Sequence, residues 1–575
     1  MPGRGQVTLA GLVTAISPPP ISSWRRDALL LFVVFGGLYF FALGRAPLAL
    51  PDEGRYAEIP REMIASGDWV TPRLDGVNYF EKPPLVYWAV AVGLKAFGPG
   101  EQSLRTVPVL FSLGGLLLTY AAARRLYGRE AGLASAVVLG TTLLYFGIGH
   151  LLLLDMAVSV LMSATLFCFL LGVRAPASPA WWNGRRMLFY GLYASAALAT
   201  LTKGFIGFLV TGAVMLLWLI LFDQWKRLRP FYLPTGLLLF LGIAAPWHLL
   251  AAARNPTWAY RYIVYEHWLR FTTTAAGRHQ AWWFFIPIVL LGFFPWVGFL
   301  WPALRDGLQG GWARRREKAE AWFLVTWAVF IFLFFSKSQS KLVPYILPVF
   351  PPLAVIVGAW LAGAGQDVAK LRGGLRIFSF VCGLLAAGVL VAVLKTGSIV
   401  KDPAQAFELR PYALVLAPCL LLGGALTPVL AGRARWAAYG GIAATMVLLF
   451  GVVACARPAL QKLGTKQLAL LVKSRVESGD EIVHYHEYFP DFTFYASRLA
   501  DVAEFKGELE LEEDPAARAS GRFMDEGEFR RRWAGSGRIL AVARKSDTTE
   551  LFADPAFHKH LLGETRDYYL FSNQP

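Results

Sequence analysis

Charge and cysteine are the two things this sequence has least of. Of its 575 residues only 17% are Asp, Glu, Lys or Arg, where an ordinary soluble domain carries about 25%. The deficit is local. Runs such as ALLLFVVFGGLYFFALG and IGFLVTGAVMLLWLILF hold no charge at all, and each approaches the roughly 20 residues that cross a bilayer. The four cysteines, Cys168, Cys382, Cys419 and Cys455, all fall in apolar runs. There a thiol packs as a small hydrophobe, and no disulfide framework follows. These scarcities exclude a soluble enzyme, a disordered chain and a disulfide-stapled scaffold. What is abundant is apolar surface, at 56% of residues, and the fold class that follows is an α-helical polytopic membrane protein.

Apolar runs place about thirteen transmembrane helices, near 27–48, 102–123, 131–149, 156–173, 188–201, 205–222, 231–250, 282–303, 321–336, 345–364, 376–395, 411–431 and 437–456. The tail before them ends in Trp24, Arg25 and Arg26 with no small-residue cleavage site after it. The first span therefore reads as uncleaved and the N-terminus as cytoplasmic. The net charge of +17, from 56 Lys and Arg against 39 Asp and Glu, would point to nucleic acid in a soluble protein. Here the basic residues collect in every second short loop, as in Arg124, Arg125 and Arg129, then Arg174, Arg185 and Arg186, then Lys226, Arg227 and Arg229. That is the asymmetry of cytoplasmic loops. The expected partners are membrane lipids and not nucleic acid.

The layout is then a cytoplasmic tail over 1–26, a transmembrane region over 27–456 and a soluble segment over 457–575. In that last segment KQLALLVKSRV and EGEFRRRWA read as helices, and EIVHYHEY, FTFYAS, RILAVAR and DYYLFS as strands. Such alternation makes a small α/β domain. His484 and His486 would share one strand face. With no third ligand in view, ordinary strand residues explain them better than a metal site.

The loops opposite the basic ones are long, at 49–101 and 251–281, and rich in mixed charge, Trp, Tyr and Pro. Chemistry is expected there. A carrier or flippase would instead place ionisable residues inside its spans, which are nearly free of them. A scaffold anchoring the soluble segment would leave these loops without a purpose. In PDEGRYAEIPREM, Asp52, Arg55, Tyr56 and Ile59 recur at helical spacing, so one face presents an acid, a guanidinium and a phenol. Pro60 is expected to end or kink that helix. A capped amphipathic helix resting on the membrane would show the same pattern.

In YFEKPPLVYW, Pro83 stiffens the backbone that carries Glu81 and Lys82. Lys82 is placed either for a phosphate or as a lysine snorkelling to the headgroups. Asp155 ends HLLLLD, Lys203 sits in LTKGF, YEHWLRF supplies Glu266, His267 and Arg270, and SKLVPYILP brings Tyr345 to the mouth of a span. Each alone can be an interfacial anchor. Together they make chemical sense: cations and a phenol bind a phosphate, an acid orients or deprotonates a nucleophile, and a Glu with a His can hold a divalent metal. The set fits group transfer from a lipid-linked phosphate.

The string LPDEGRYAEIPREM, with DWVTPRLDGVNYFEKPPLVYW, LLLLDMAV, LTKGFIGF and SKLVPYILP after it, resembles the bacterial branch of the GT-C, protein-mannosyltransferase-like glycosyltransferases. Within that branch the match is to the lipid A aminoarabinose (4-amino-4-deoxy-L-arabinose) transferases, and it extends over residues 25–365. The resemblance implies a GT-C enzyme of the bacterial inner membrane with its active site and C-terminal domain at the periplasmic face. Such an enzyme takes a sugar from undecaprenyl phosphate and gives it to an acceptor such as a lipid A phosphate. It implies Asp52 as the principal catalytic acid and Asp155 as a second. Lys82, Arg270 and Tyr345 would hold the carrier phosphate, Lys203 would line the same cavity, and Arg55 and Tyr56 would stand beside them. Glu81 and His267 match positions tied to a divalent metal (zinc, magnesium or manganese), with no nucleotide cofactor. Relatives with this core move other polyprenyl-linked sugars to lipopolysaccharide, other glycans or protein, so the sugar and acceptor stay open.

Overall fold

The structure, a computed structural model, describes residues 21–269, 280–363, 367–395, 402–460, 464–506 and 520–575. Helix α1 (Ile21–Phe40) leads into a loop that carries α2 (Asp52–Ser66), a two-strand hairpin β1–β2 (Arg73–Leu74 and Val77–Asn78) and α3 (Leu85–Phe97). Then come α4 (Glu101–Tyr127), α5 (Arg129–Gly140), α6 (Leu143–Gly149), α7 (Leu154–Arg174), α8 (Gly184–Lys203), α9 (Ile206–Phe222) and α10 (Leu233–Arg254). The second half of the bundle is built from Phe285–Gly292 with Val297–Gly307, then Ala319–Lys337, Phe350–Gly363, Arg372–Leu394, Pro403–Ala431 and Arg435–Leu460.

Every predicted span falls on one of these helices or on a bent pair. Among the described residues eight helices are long and apolar enough to cross a membrane, or ten if each bent pair counts as one span. The other three predicted spans lie on α1, which opens with Arg25, Arg26 and Asp27, on α8, which opens with Arg185 and Arg186, and on α9, which has only 17 residues. The chain is a multi-pass membrane protein. Two boundaries move by eight residues: the first span, expected to reach 48, ends at Phe40, and the span expected from 411 starts at Pro403, where the Asp402 side chain accepts the Ala404 amide and caps the helix.

The two bent pairs explain each other. α5 and α6 meet at 65°, and Phe285–Gly292 meets Val297–Gly307 at 97°. A break inside a bilayer leaves backbone groups that lipid cannot satisfy. Here the breaks face one another: Leu143 N donates to Phe294 O at 3.1 Å, and the Trp296 indole donates to Thr141 Oγ1 at 2.8 Å. Elsewhere small residues let backbones touch. A Cβ on Gly358 would come within 2.5 Å of Ser135 N, so only glycine admits this approach of Phe350–Gly363 to α5. At the basic face Asp27 collects Arg124 at 3.0 Å and Arg129 at 2.7 Å, tying α1 to α4 and α5.

The C-terminal domain is a six-stranded sheet in the order β5-β4-β3-β6-β8-β7. Strands β3 (Glu481–Tyr485), β4 (Asp501–Ala503), β5 (Phe523–Met524) and β6 (Ile539–Arg544) are parallel, while β7 (His560–Glu564) and β8 (Tyr568–Ser572) close the edge antiparallel. Two expectations are corrected. FTFYAS is not a strand but part of the helix Pro490–Ala496, all seven residues of which are buried. Pro490 opens the first turn with a preset φ, and burial on every side removes any alternation to read. Nor do His484 and His486 share a strand face. His484 is buried in β3, where its Nδ1 accepts the Phe489 amide at 3.1 Å and burial pushes its pKa down to about 3. His486 lies past the strand end at φ 66°, beside Lys506.

Candidate active site

Helix α2 brings Asp52, Arg55 and Tyr56 together, as the spacing predicted, but it does not stop at Pro60. It runs to Ser66, where Gly67 at φ 71° caps it by donating to Met63 O. The missing Pro60 amide is outweighed by packing on both sides of it: Ile59 and Met63 are buried with Leu74, Val77, Tyr79 and Tyr87. α2 therefore lies pressed between the bundle and the C-terminal domain.

The hairpin β1–β2 delivers the other half of the cluster. Arg55 Nη1 donates to Tyr79 OH at 3.0 Å and to Glu81 Oε2 at 3.3 Å, and Nη2 donates to Asp52 Oδ1. Tyr79 OH also donates to Glu81. Burial, then the Glu81 charge, pushes the Tyr79 hydroxyl well above its ordinary range, so it stays a donor. Lys82 Nζ sits 3.1 Å from Glu81 Oε1 and 3.1 Å from Glu266 Oε2. Three carboxylates thus surround two cations, an excess of one negative charge. Asp52 is the open member: its side chain is 42% exposed, against 6% for Arg55 and 16% for Glu81.

A second cluster comes from the bundle. Asp155 stands in the first turn of α7, and Lys203, the last residue of α8, donates to its Oδ1 at 2.5 Å. Lys203 Nζ also lies 4.3 Å from the centre of the Tyr345 ring. The two clusters are joined twice. Glu53, next to Asp52, accepts the Leu152 amide at 2.8 Å just before α7, and Phe80, next to Glu81, shares an apolar cluster with Leu201, Trp247 and Tyr262.

Arg270 and the His267 side chain lie outside the described residues, although the backbone of Tyr260–Leu269 forms the π-helical segment that carries Glu266. The metal expectation names Glu81 and His267, and of these only the Glu81 side chain lies among the described residues. Glu81 has given its oxygens to Arg55, Tyr79 and Lys82. Among the described residues no three of His, Cys, Asp and Glu come together as ligands. A metal at Glu81 would share its oxygens with Arg55 and Lys82.

Two residues of these clusters, Tyr79 and Glu53, escaped the sequence reading, as did the partner of a third. Tyr79 carries no motif. Glu266, on the loop already singled out, pairs with Lys82 in a way spacing cannot show. Glu53 is the most telling, because it is fully buried and held in a fork by Arg105, with Nε 2.9 Å from Oε1 and Nη2 2.6 Å from Oε2. Burial would raise the Glu53 carboxyl, but Arg105 and the backbone donors outweigh it and keep it below the usual range. PDE followed by an Arg in the first turns of α4 gave no signal for that pair.

On its far side α2 buries more acid. Glu62 accepts the Asp75 amide at 2.6 Å and the Gly76 amide at 2.9 Å, and burial, then the Glu58 charge, pushes it up to about 8. Glu58 and Arg61 of its own helix, Asp75 of the hairpin and Tyr488 of the C-terminal domain surround it. The folded state keeps a proton on Glu62 that the unfolded chain releases near 4.5. Its stabilising contribution is thus complete below that pH and is lost as pH climbs through about 8. Glu62→Gln is expected to flatten the slope of melting temperature against pH across that window, measured on the purified protein.

Comparisons with known proteins identify the family. Residues 81–249 match the family described as dolichyl-phosphate-mannose-protein mannosyltransferase. The undecaprenyl phosphate-α-4-amino-4-deoxy-L-arabinose arabinosyl transferase of Pectobacterium atrosepticum is 31% identical over 552 residues, covering 91% of this chain and 94% of that protein. The transferase of the same description from Edwardsiella ictaluri is 35% identical over 388 residues, or 67% of each chain. The crystal structure of ArnT from Cupriavidus metallidurans bound to undecaprenyl phosphate superposes with a TM-score of 0.85 at 27% identity, over 96% of this chain and 98% of that one. With both the sequence and the fold matched over more than nine-tenths of the chain, this chain belongs to the undecaprenyl phosphate-α-4-amino-4-deoxy-L-arabinose arabinosyl transferases, glycosyltransferases of GT-C type.

Proposed function

We propose that the chain transfers 4-amino-4-deoxy-L-arabinose from undecaprenyl phosphate to a phosphate of lipid A, in the bacterial inner membrane and at its periplasmic face. The observation that carries this is the juxtaposition of Arg55, Lys82 and Lys203 with the acids Asp52 and Asp155 on the loop face of a membrane bundle. The basic loops on the opposite face support a cytoplasmic N-terminus and a periplasmic C-terminal domain.

The reaction is a single displacement. The bond from the anomeric carbon to the donor phosphate oxygen breaks, its electron pair leaves with undecaprenyl phosphate, and an oxygen of the acceptor phosphate forms the new bond. That acceptor is already anionic near neutral pH and needs no base to ionise it. Lys82, Arg55 and Lys203 meet the charge that gathers on the departing phosphate, with Tyr345 against Lys203 and Tyr56 5.9 Å from the Arg55 guanidinium completing the wall. Arg270 is assigned to the same phosphate, and Glu81 with His267 to an optional divalent cation. Asp52 and Asp155 face the other partner, where a carboxylate stabilises positive charge on the sugar ring and its amine.

Lys82→Ala is expected to weaken binding of undecaprenyl phosphate by about 10- to 100-fold, the loss of one charge-assisted contact, with a smaller change in kcat. Titration with the carrier lipid checks it, and unchanged affinity would take Lys82 out of the phosphate site. The function itself is tested by mass spectrometry of lipid A from cells with and without the protein. One aminoarabinose increment on the phosphates is the expected result, and an unaltered lipid A would move the acceptor elsewhere.

A further inference from the structure

We infer that the helix Pro490–Ala496 of the C-terminal domain is a positioning element of the active site, holding α2 so that Asp52 and Arg55 face the substrates. The inference rests on α2 being the reacting helix, as proposed above. Two faces of α2 make the case. Asp52, Arg55, Tyr56 and Ile59 lie on one, and Gly54, Ala57, Glu58 and Arg61 lie on the other. The second face is docked on Pro490–Ala496 at backbone range.

Gly54 shows how close that docking is. A Cβ there would lie 2.7 Å from Asp491 N, 3.1 Å from Pro490 Cγ and 3.2 Å from Asp491 Cα. Two of the three atoms are backbone, which cannot swing aside as a flexible side chain would. One turn on, Glu58 is fully buried, forked by Arg61 at 2.6 and 2.5 Å, with the Thr493 hydroxyl beside it. Thr493 is held in turn by Tyr488 OH at 2.9 Å and by Pro490 O at 3.1 Å.

The same short helix fixes what lies on either side of α2. Tyr495 OH accepts the Leu48 amide at 3.0 Å, ahead of α2, and donates to Glu101 at the start of α4 at 3.0 Å. Asp491 Oδ2 accepts from Thr465 N at 3.0 Å and from its hydroxyl at 2.8 Å, anchoring the helix to the chain that leaves the last bundle helix. The Lys82 side is held as well. Ala500 N donates to Asp75 in the hairpin at 3.1 Å, and Tyr488 and Val502 pack in one cluster with Tyr79. The C-terminal domain therefore sets both halves of the Asp52–Arg55–Glu81 cluster against each other without touching substrate. A shift of about 1 Å in such a cluster costs on the order of 100-fold in rate while leaving binding at a distance intact.

The test uses the full-length protein in nanodiscs, with the aminoarabinose carrier lipid as donor and lipid A as acceptor, and hydrogen–deuterium exchange over residues 52–66. Gly54→Ala is expected to lower kcat by about 100-fold, and Thr493→Val by about 10-fold, with the donor KM within about threefold of wild type and faster exchange in α2. Thr493→Ser keeps the hydroxyl and is expected to restore both readouts. Gly114→Ala is the control, because a Cβ there meets nothing within 4 Å. Wild-type kcat and exchange in folded Gly54→Ala and Thr493→Val would overturn the inference. So would a loss of rate that vanishes when kcat is expressed per donor-binding site, since that is lost protein and not lost positioning. Wild type that fails to turn over this donor and acceptor would sink the functional reading instead, and the exchange of α2 in Thr493→Val against Thr493→Ser then decides the docking alone.

Discussion

Asp52→Asn is expected to lower sugar transfer by about 10²- to 10⁴-fold while leaving the melting temperature within a degree or two of wild type. The argument starts from what α2 does with its acids. Glu53, Glu58 and Glu62 are all buried, each spent on Arg105, Arg61 or backbone amides. Asp52 alone keeps an open carboxylate, 42% exposed and tethered only to Arg55. Asparagine has the same shape and can still accept from Arg55. What it lacks is charge.

A carboxylate tethered to a guanidinium is aimed, because Arg55 is itself fixed by Tyr79 and Glu81. The Asp52 carboxylate is the half-open one of the cluster. Negative charge there favours a transition state in which the sugar ring turns cationic as the phosphate departs. Asp52 is half-exposed, and the buried Arg55 keeps Glu81 and Tyr79 as partners, so the fold should hardly register the change. The readout is kcat on the lipid A mass increment with melting followed on the same sample. Undiminished turnover in a folded preparation would remove Asp52 from the reaction.

The sequence showed the acid, the guanidinium and the phenol of α2, the stiffened Glu81–Lys82 pair, Asp155, Lys203 and Tyr345, because each stands in a short motif at the end of a span. It showed the spans because bilayer length and charge-free composition are one-dimensional properties. It could not show contacts between distant residues. Glu53 and Arg105 meet across 52 positions, Lys82 and Glu266 across 184, and nothing in either local string marks its partner. Local rules also lost to packing. Pro60 lies inside a helix because apolar neighbours hold both of its flanks, and FTFYAS became a helix because Pro490 starts one and burial on all sides erases the alternation. The metal role of Glu81 and His267 came from the family resemblance and not from any local string. In space, Glu81 turned out to be bound to cations already.

Arg105→Leu is expected to be the most destabilising of the substitutions considered, by about 3–5 kcal/mol. Arg105 and Glu53 are 0% and 1% exposed, so the arginine cannot be replaced by water. Its loss would leave a carboxylate buried without a counter-charge. It would also strip donors from three carbonyls at the end of α1 and before α2: Leu43 O at 3.1 Å, Ala46 O at 2.7 Å and Pro47 O at 2.7 Å. The two costs can be separated with the Glu53→Leu, Arg105→Leu double variant. If the orphaned charge dominates, removing Glu53 as well recovers stability despite the second substitution, as replacing a whole buried pair by apolar residues often does. If the orphaned backbone dominates, the double variant is worse than either single one, because the amides of Ala49 and Leu152 then lose Glu53 too. The expected result is partial recovery in thermal unfolding with no recovery of transfer. Glu53 is the strut between Asp52 on α2 and the turn that starts α7 and carries Asp155, and leucine can fill its volume without holding the Leu152 amide.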